Sequence, residues 1–159
     1  MRLKGRARKI GIPVIYVNDN FGDWRSEKEV LMGRCLEAKG AEFVRPLLPD
    51  SEDYFVLKPM HSAFYMTPLE VLLLHLQVEV LILTGLTSIS CITVTAHDAN
   101  MRGFDIYIPP DCSCSRNIEE HRQALAQLEA TAGAKLKNST ALKLPDLIRT
   151  AQQQADATP

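Results

Sequence analysis

The sequence carries no surplus of either charge: 18 lysines and arginines stand against 19 aspartates and glutamates. Proteins that live on nucleic acid usually show a clear basic excess, so no nucleic-acid partner is expected. Long apolar runs are missing too, and none approaches the roughly 18 residues of a membrane span, which excludes a membrane partner from the reading. The four cysteines, Cys35, Cys91, Cys112 and Cys114, form no CxxC pair and no zinc-like Cys/His spacing. Cys112 and Cys114 flank a single serine and are read as packing residues. The basic start (Arg2, Lys4, Arg6, Arg8, Lys9) lacks an apolar core and is read as the last turns of a helix, not a secretory signal. The cytoplasm is therefore the default location. What is present is average: 159 residues, 46% apolar and 23% charged. That composition predicts one soluble domain over residues 1–149, with a polar, flexible tail over 150–159.

Strand and helix signals alternate. Pro13 to Val17 is β-branched and aromatic, and ends in the polar run Asn18 to Gly22. Ser26 to Glu29 reads as a capping box for a helix closed by Gly40. Ala41 to Val44 is read as a short strand and Tyr54 to Leu57 as a clearer one. Thr67, Pro68 and Glu70 suit the N-cap, N1 and N3 positions of a leucine-rich helix. Val78 to Thr84 predicts a central parallel strand buried on both faces. After the turn at Gly85 a helix is expected from about Ser90 to Arg102, closed by Gly103. Asp105 to Ile108 is the next strand. Asn117 caps a helix with Ala124, Leu125 and Leu128 inward, and Ala134 to Leu136 is read as a last short strand. The class is α/β, with a mostly parallel sheet between helix layers.

Ligands in such sheets sit beyond the carboxyl ends of the strands, which directs attention to three loops. Cys91 follows the apolar strand by one turn and opens a helix. The amide groups and dipole of a helix start stabilise a thiolate and can hold an oxyanion; a small packed residue is the other reading. Lys58 ends the strand before the leucine-rich helix. It is either a cation that lowers a thiol pKa or a solvated lysine. His61 is either a substrate contact or a loop histidine. His75 is read as structural, and Asp98 and Asp111 as hydrogen-bonding residues of helix and loop.

Three segments together carry a resemblance. Lys58-Pro59-x-His61-Ser62-Ala63-Phe64, Leu83-Thr84-Gly85-Leu86-Thr87-x-x-x-Cys91 and Thr95-Ala96-x-Asp98-Ala99 resemble the isochorismatase-like cysteine hydrolases. Tyr16 to Gly22 resembles one of their subgroups, and the likeness covers about residues 5 to 145. It implies a Rossmann-like three-layer α/β/α fold and hydrolysis of C–N bonds in small amides or ureido compounds. It implies Cys91 as nucleophile, Lys58 as the catalytic lysine and a cis peptide at Leu86–Thr87 that aims the Thr87 and Cys91 amides at an oxyanion. Asn18, Asp19, Phe21, His61 and Phe64 are the implied substrate contacts, and a homo-oligomer is the implied assembly. Isochorismatases proper cleave a vinyl ether without this cysteine, so Cys91 points to amide-type substrates.

The sequence also departs from that family. Nicotinamidases carry an Asp-x-His metal motif where this chain has Asp19-Asn20-Phe21, so neither metal nor other cofactor is expected. The family's third catalytic residue is an aspartate ending a strand before the one at Pro13 to Val17. The twelve residues ahead of Pro13 contain no acid. The chain is accordingly read as truncated, with the first, central strand missing and unpaired edges on the strands that would flank it. A catalytically degenerate member acting as a small-molecule binder or oligomerisation partner is the alternative.

Overall fold

Strands and helices alternate in the computed structural model, which describes residues 2–25 and 27–149. The Ser26 capping box and the tail from Thr150 lie outside the described residues. Two compact units form, one ending at Met60 and one starting at His61.

The first unit contains helix α1 (Arg2–Lys9), strand β1 (Ile15–Asp19), helices α2 (Lys28–Glu37) and α3 (Ala41–Val44), and strand β2 (Tyr54–Lys58). β1 and β2 run parallel, in register from Ile15 opposite Tyr54 to Asp19 opposite Lys58. β1 starts two residues later than its sequence pattern suggests. Pro13 has no amide hydrogen for the ladder, so pairing begins beyond it. Asn18 and Asp19, expected in the loop, therefore finish the strand.

Two further readings are corrected. Ala41–Val44 is helical, not a strand: four residues fix no period, and Ala and Glu favour a helix. Gly40 stands at the N-cap of α3 and is not the closing residue of α2, which ends at Glu37 with Ala38 extended.

Lys4 and Arg8 lie one helical turn apart on α1 and both reach Asp53. Lys4 Nζ is 3.1 Å from Asp53 Oδ2, Arg8 pairs with Asp53 and Asp50, and the Asp53 side chain is only 2% exposed. Burial pushes the Asp53 carboxyl up, but the Arg8 guanidinium, the Asp50 amide and Lys4 outweigh it and hold it below the usual value. A depressed carboxyl contributes stability above its unfolded pKa of about 4, and that contribution is lost as pH falls through the folded value. Asp53→Asn should therefore lower the melting temperature at pH 7. The gap to wild type should close as the pH drops below about 4, which thermal melts across a pH series will read.

The second unit contains α4 (Leu69–His75), β3 (Val80–Ile82), β4 (Gly85–Leu86), a π-helical turn (Ser88–Ile92), α5 (Thr93–Met101), β5 (Asp105–Tyr107), β6 (Ser113–Cys114) and α6 (Ile118–Ala132). β3 pairs with β5 and β4 with β6, both in parallel. The core gathers around Leu73, Ile106, Ile108, Leu128, Leu142 and Leu144, all 2% exposed or less. β3 is half-buried along its length, not buried on both faces as its composition suggests. Among the described residues its ladder runs along one edge only, toward β5. β1 likewise ladders only with β2 among the described residues.

The strand expected at Ala134 to Leu136 reduces to one bridge, Lys135 with Tyr107. α4 begins one residue later than its start signal, with Pro68 at the N-cap. Thr67 still serves there: its hydroxyl accepts from the Leu69 amide at 3.2 Å and donates to the Ala63 carbonyl at 2.6 Å. His75 is exposed at the helix end, not structural. No described helix is long and apolar enough to cross a membrane.

α6 is delimited by its own sequence. The Asn117 side chain accepts from the Glu120 amide at 2.9 Å and donates to the Glu120 carboxylate at 2.9 Å. At the far end Gly133 takes the left-handed φ of +60° that a side chain resists. Asn117→Ala should cost about 1 kcal/mol, measurable as a shift of the urea midpoint with an unchanged slope.

Candidate active site

Gly85 has φ +115°, a backbone open essentially to glycine, and it begins β4 just ahead of Leu86. The Leu86–Thr87 peptide is cis. The π-helical turn then runs directly into α5, so Cys91 sits in the first turns of a helical stretch from Ser88 to Met101. Thr87 O accepts from the Ser90 and Ile92 amides at 3.2 Å each, and Thr93 Oγ1 donates to Ser88 O at 2.6 Å. Cys91 is half-buried, and its Sγ lies 3.8 Å from His61 Nδ1.

The sequence motifs explain how His61 is held there. Ser62 donates its hydroxyl to the Asp98 carboxylate. The Ala63 amide donates to Thr95 Oγ1 at 3.0 Å in the core. The segment after Lys58 is thus stitched to α5 by the residues that make up the Thr95-to-Asp98 motif. Phe64, expected to touch substrate, is 4% exposed. Its ring stacks 6.0 Å from Phe104 and lies under the Arg102 guanidinium at 4.7 Å, so it anchors the loop from inside.

In the first unit, Lys58 ends β2 with 5% of its surface exposed. Its Nζ donates to Asp19 Oδ2 at 3.1 Å and to Met60 O at 2.9 Å. The in-register ladder produces this pair, because Asp19 is the cross-strand neighbour of Lys58. Asp19 Oδ1 also accepts from the Phe21 amide at 2.8 Å. Asn18 is half-buried on β1, whereas Phe21 is 75% exposed with φ +52°. Asn18, Asp19, Phe21 and Lys58 belong to the first unit; His61, Phe64, Thr87 and Cys91 belong to the second.

Two other cysteines lie on the loop and strand around β6. Burial pushes the Cys112 thiol up, which makes it a poor nucleophile at neutral pH, and Cys114 is exposed. Asp111 bonds the Ser139 amide at 2.7 Å and hydroxyl at 2.6 Å, which holds its carboxyl low; it is a loop-fastening residue. No cluster of three or more His, Cys, Asp or Glu side chains suited to a metal gathers among the described residues.

One buried polar pair lies outside every motif. Ser88 Oγ is 2.8 Å from His121 Nδ1, 33 positions further along the sequence. The available signal was that His121 shares a helix face with Ala124, Leu125 and Leu128.

The Isochorismatase domain family model matches residues 1–140. The uncharacterised isochorismatase family protein YaaI of Bacillus subtilis is 39% identical over 129 residues, 81% of this chain and 71% of its own length. The ureidoacrylate amidohydrolase RutB of Methylobacterium radiotolerans is 33% identical over 83% of this chain, which spans 60% of that protein. Among solved structures, the N-carbamoylsarcosine amidase of Thermoplasma acidophilum superposes with a TM-score of 0.69 at 25% identity. That superposition covers 89% of this chain and 81% of the amidase.

Proposed function

This chain belongs to the isochorismatase family, and on that premise we propose that it is a cysteine hydrolase of C–N bonds in small amides or ureido compounds. The observation that carries the reading is the Cys91 thiol at the start of a helical stretch, with the His61 imidazole 3.8 Å from its sulfur. The thiolate is the attacking form of a cysteine. Amide-hydrolysing relatives support the class of bond, since both a ureidoacrylate amidohydrolase and an N-carbamoylsarcosine amidase resemble this chain.

The chemistry divides one difficult step into two. Cys91 Sγ attacks the carbonyl carbon, and the Thr87 and Cys91 amides receive the developing oxyanion. As the intermediate collapses, the nitrogen takes a proton from water and leaves as the amine, and a second water hydrolyses the remaining thioester to the acid and the Cys91 thiol. His61 contacts the substrate. Lys58 takes the role of the family's lysine, on the strength of its segment's resemblance.

A library of small amides, carbamoyl amines and ureido acids, assayed for ammonia or amine release, tests the reading. Turnover of at least one compound is expected. A folded protein inert across the whole library would overturn it and leave the degenerate binder as the description.

A further inference from the structure

The π-helical turn that carries Cys91 is fastened from outside, and the fastening lies in the second unit alone. Ser88 opens the turn and is completely buried; His121, on α6, is 8% exposed. His121 Nε2 lies 3.2 Å from the Pro110 carbonyl oxygen, which can only accept. Nε2 must therefore carry the proton of the neutral ring, which leaves a lone pair on Nδ1. Ser88 Oγ, 2.8 Å away, donates its proton to that lone pair. Both ring nitrogens are satisfied, and the serine hydroxyl is locked in one direction. Two more side-chain bonds act on the same turn: Thr93 Oγ1 donates to Ser88 O at 2.6 Å, and the Ile89 amide donates to Ser115 Oγ at 3.2 Å.

We infer that Ser88 and His121 are positioning residues for the Cys91 nucleophile: the Pro110–His121–Ser88 relay fixes the turn from which the thiol and its amide act. The inference rests on the cysteine-hydrolase reading for its effect on turnover, but not for its geometry. Only Ile89 and Ser90 separate Ser88 from Cys91, so a loosened Ser88 moves the thiol without touching it. Misplacing a reacting atom by about 1 Å can cost on the order of 100-fold in rate. A buried histidine that only filled space would have no such effect on the residual folded enzyme.

Ser88→Ala should lower kcat roughly 10–100-fold with little change in KM. It should also slow iodoacetamide alkylation of Cys91, read by peptide mass spectrometry so that Cys35, Cys112 and Cys114 are scored separately. His121→Leu should do the same, and His121→Asn, which keeps an acceptor facing Ser88, should restore most of the loss. If the buried variants fail to fold, nitrogen-15 histidine spectra of the wild-type protein decide the matter: His121 is expected as the Nε2–H tautomer. An Nδ1–H tautomer overturns the relay, as does a folded Ser88→Ala variant that alkylates and turns over within twofold of wild type. Should the wild type hydrolyse nothing in the library, the hydrolase reading fails by itself, and the alkylation and tautomer results still judge the relay.

Discussion

Cys91→Ala is expected to cut kcat/KM by at least about 1,000-fold on any amide the wild type hydrolyses. The substitution removes the sulfur atom assigned to attack the carbonyl carbon. Loss of the nucleophile from a set of residues that act together leaves only binding and oxyanion stabilisation to lower the barrier. Cys91→Ser should fall nearly as far, since a serine hydroxyl is a weak nucleophile unless a base activates it. Neither change should disturb folding by more than about 1 kcal/mol, because Cys91 is only half-buried. Steady-state kinetics beside thermal melts separates the two effects. Retention of a tenth of the wild-type rate in Cys91→Ala would remove the thiol from the mechanism.

Lys58→Met comes next in size, and it acts on stability as well as on rate. The Lys58 side chain is 6% exposed and that of Asp19 is 26% exposed, 3.1 Å apart at the paired ends of β2 and β1. Losing one partner of a fully buried pair typically costs 3–5 kcal/mol; the partial exposure of Asp19 reduces this to about 1–3 kcal/mol. The rate should fall about 100- to 10,000-fold, the range expected when a group that manages a catalytic proton is removed. The double variant Lys58→Met/Asp19→Asn separates the two. It takes away the carboxylate that lost its cation, so stability should partly return while the rate stays low. Recovery of both together would mean that Lys58 matters only as a strut between two strands.

Much of this was legible in the sequence, for reasons that differ by residue. Asn117 was readable as a cap because its partner, Glu120, is three residues away. The place of Cys91 near the start of a helical stretch was readable because a β-branched run, a glycine and a helical pattern follow one another without a gap. Ala41–Val44 was misread because four apolar-leaning residues fit either period. The motif next to Lys58 singles out Phe64 but does not contain its packing partner, because Phe104 lies 40 residues on. His121 shares the apolar face of α6, but nothing in the sequence points to Ser88 as its partner, since only the packing of α6 brings the two together. Asp19 sits opposite Lys58 because the two strands pair in register, and a single strand's pattern does not contain that register.

The capped ends of α6 also bear on the order in which the second unit forms. A helix bounded by Asn117 and Gly133 needs no distant residue to define where it starts and stops, so it can nucleate while the rest of the chain is still searching. The contact between Ser88 and His121 closes a loop of 33 residues and carries a larger entropic cost. α6 thus has ends that local contacts define, whereas the turn carrying Cys91 depends on a contact made across that loop. The part of this unit proposed to do chemistry is the part whose geometry leans on a partner far along the chain.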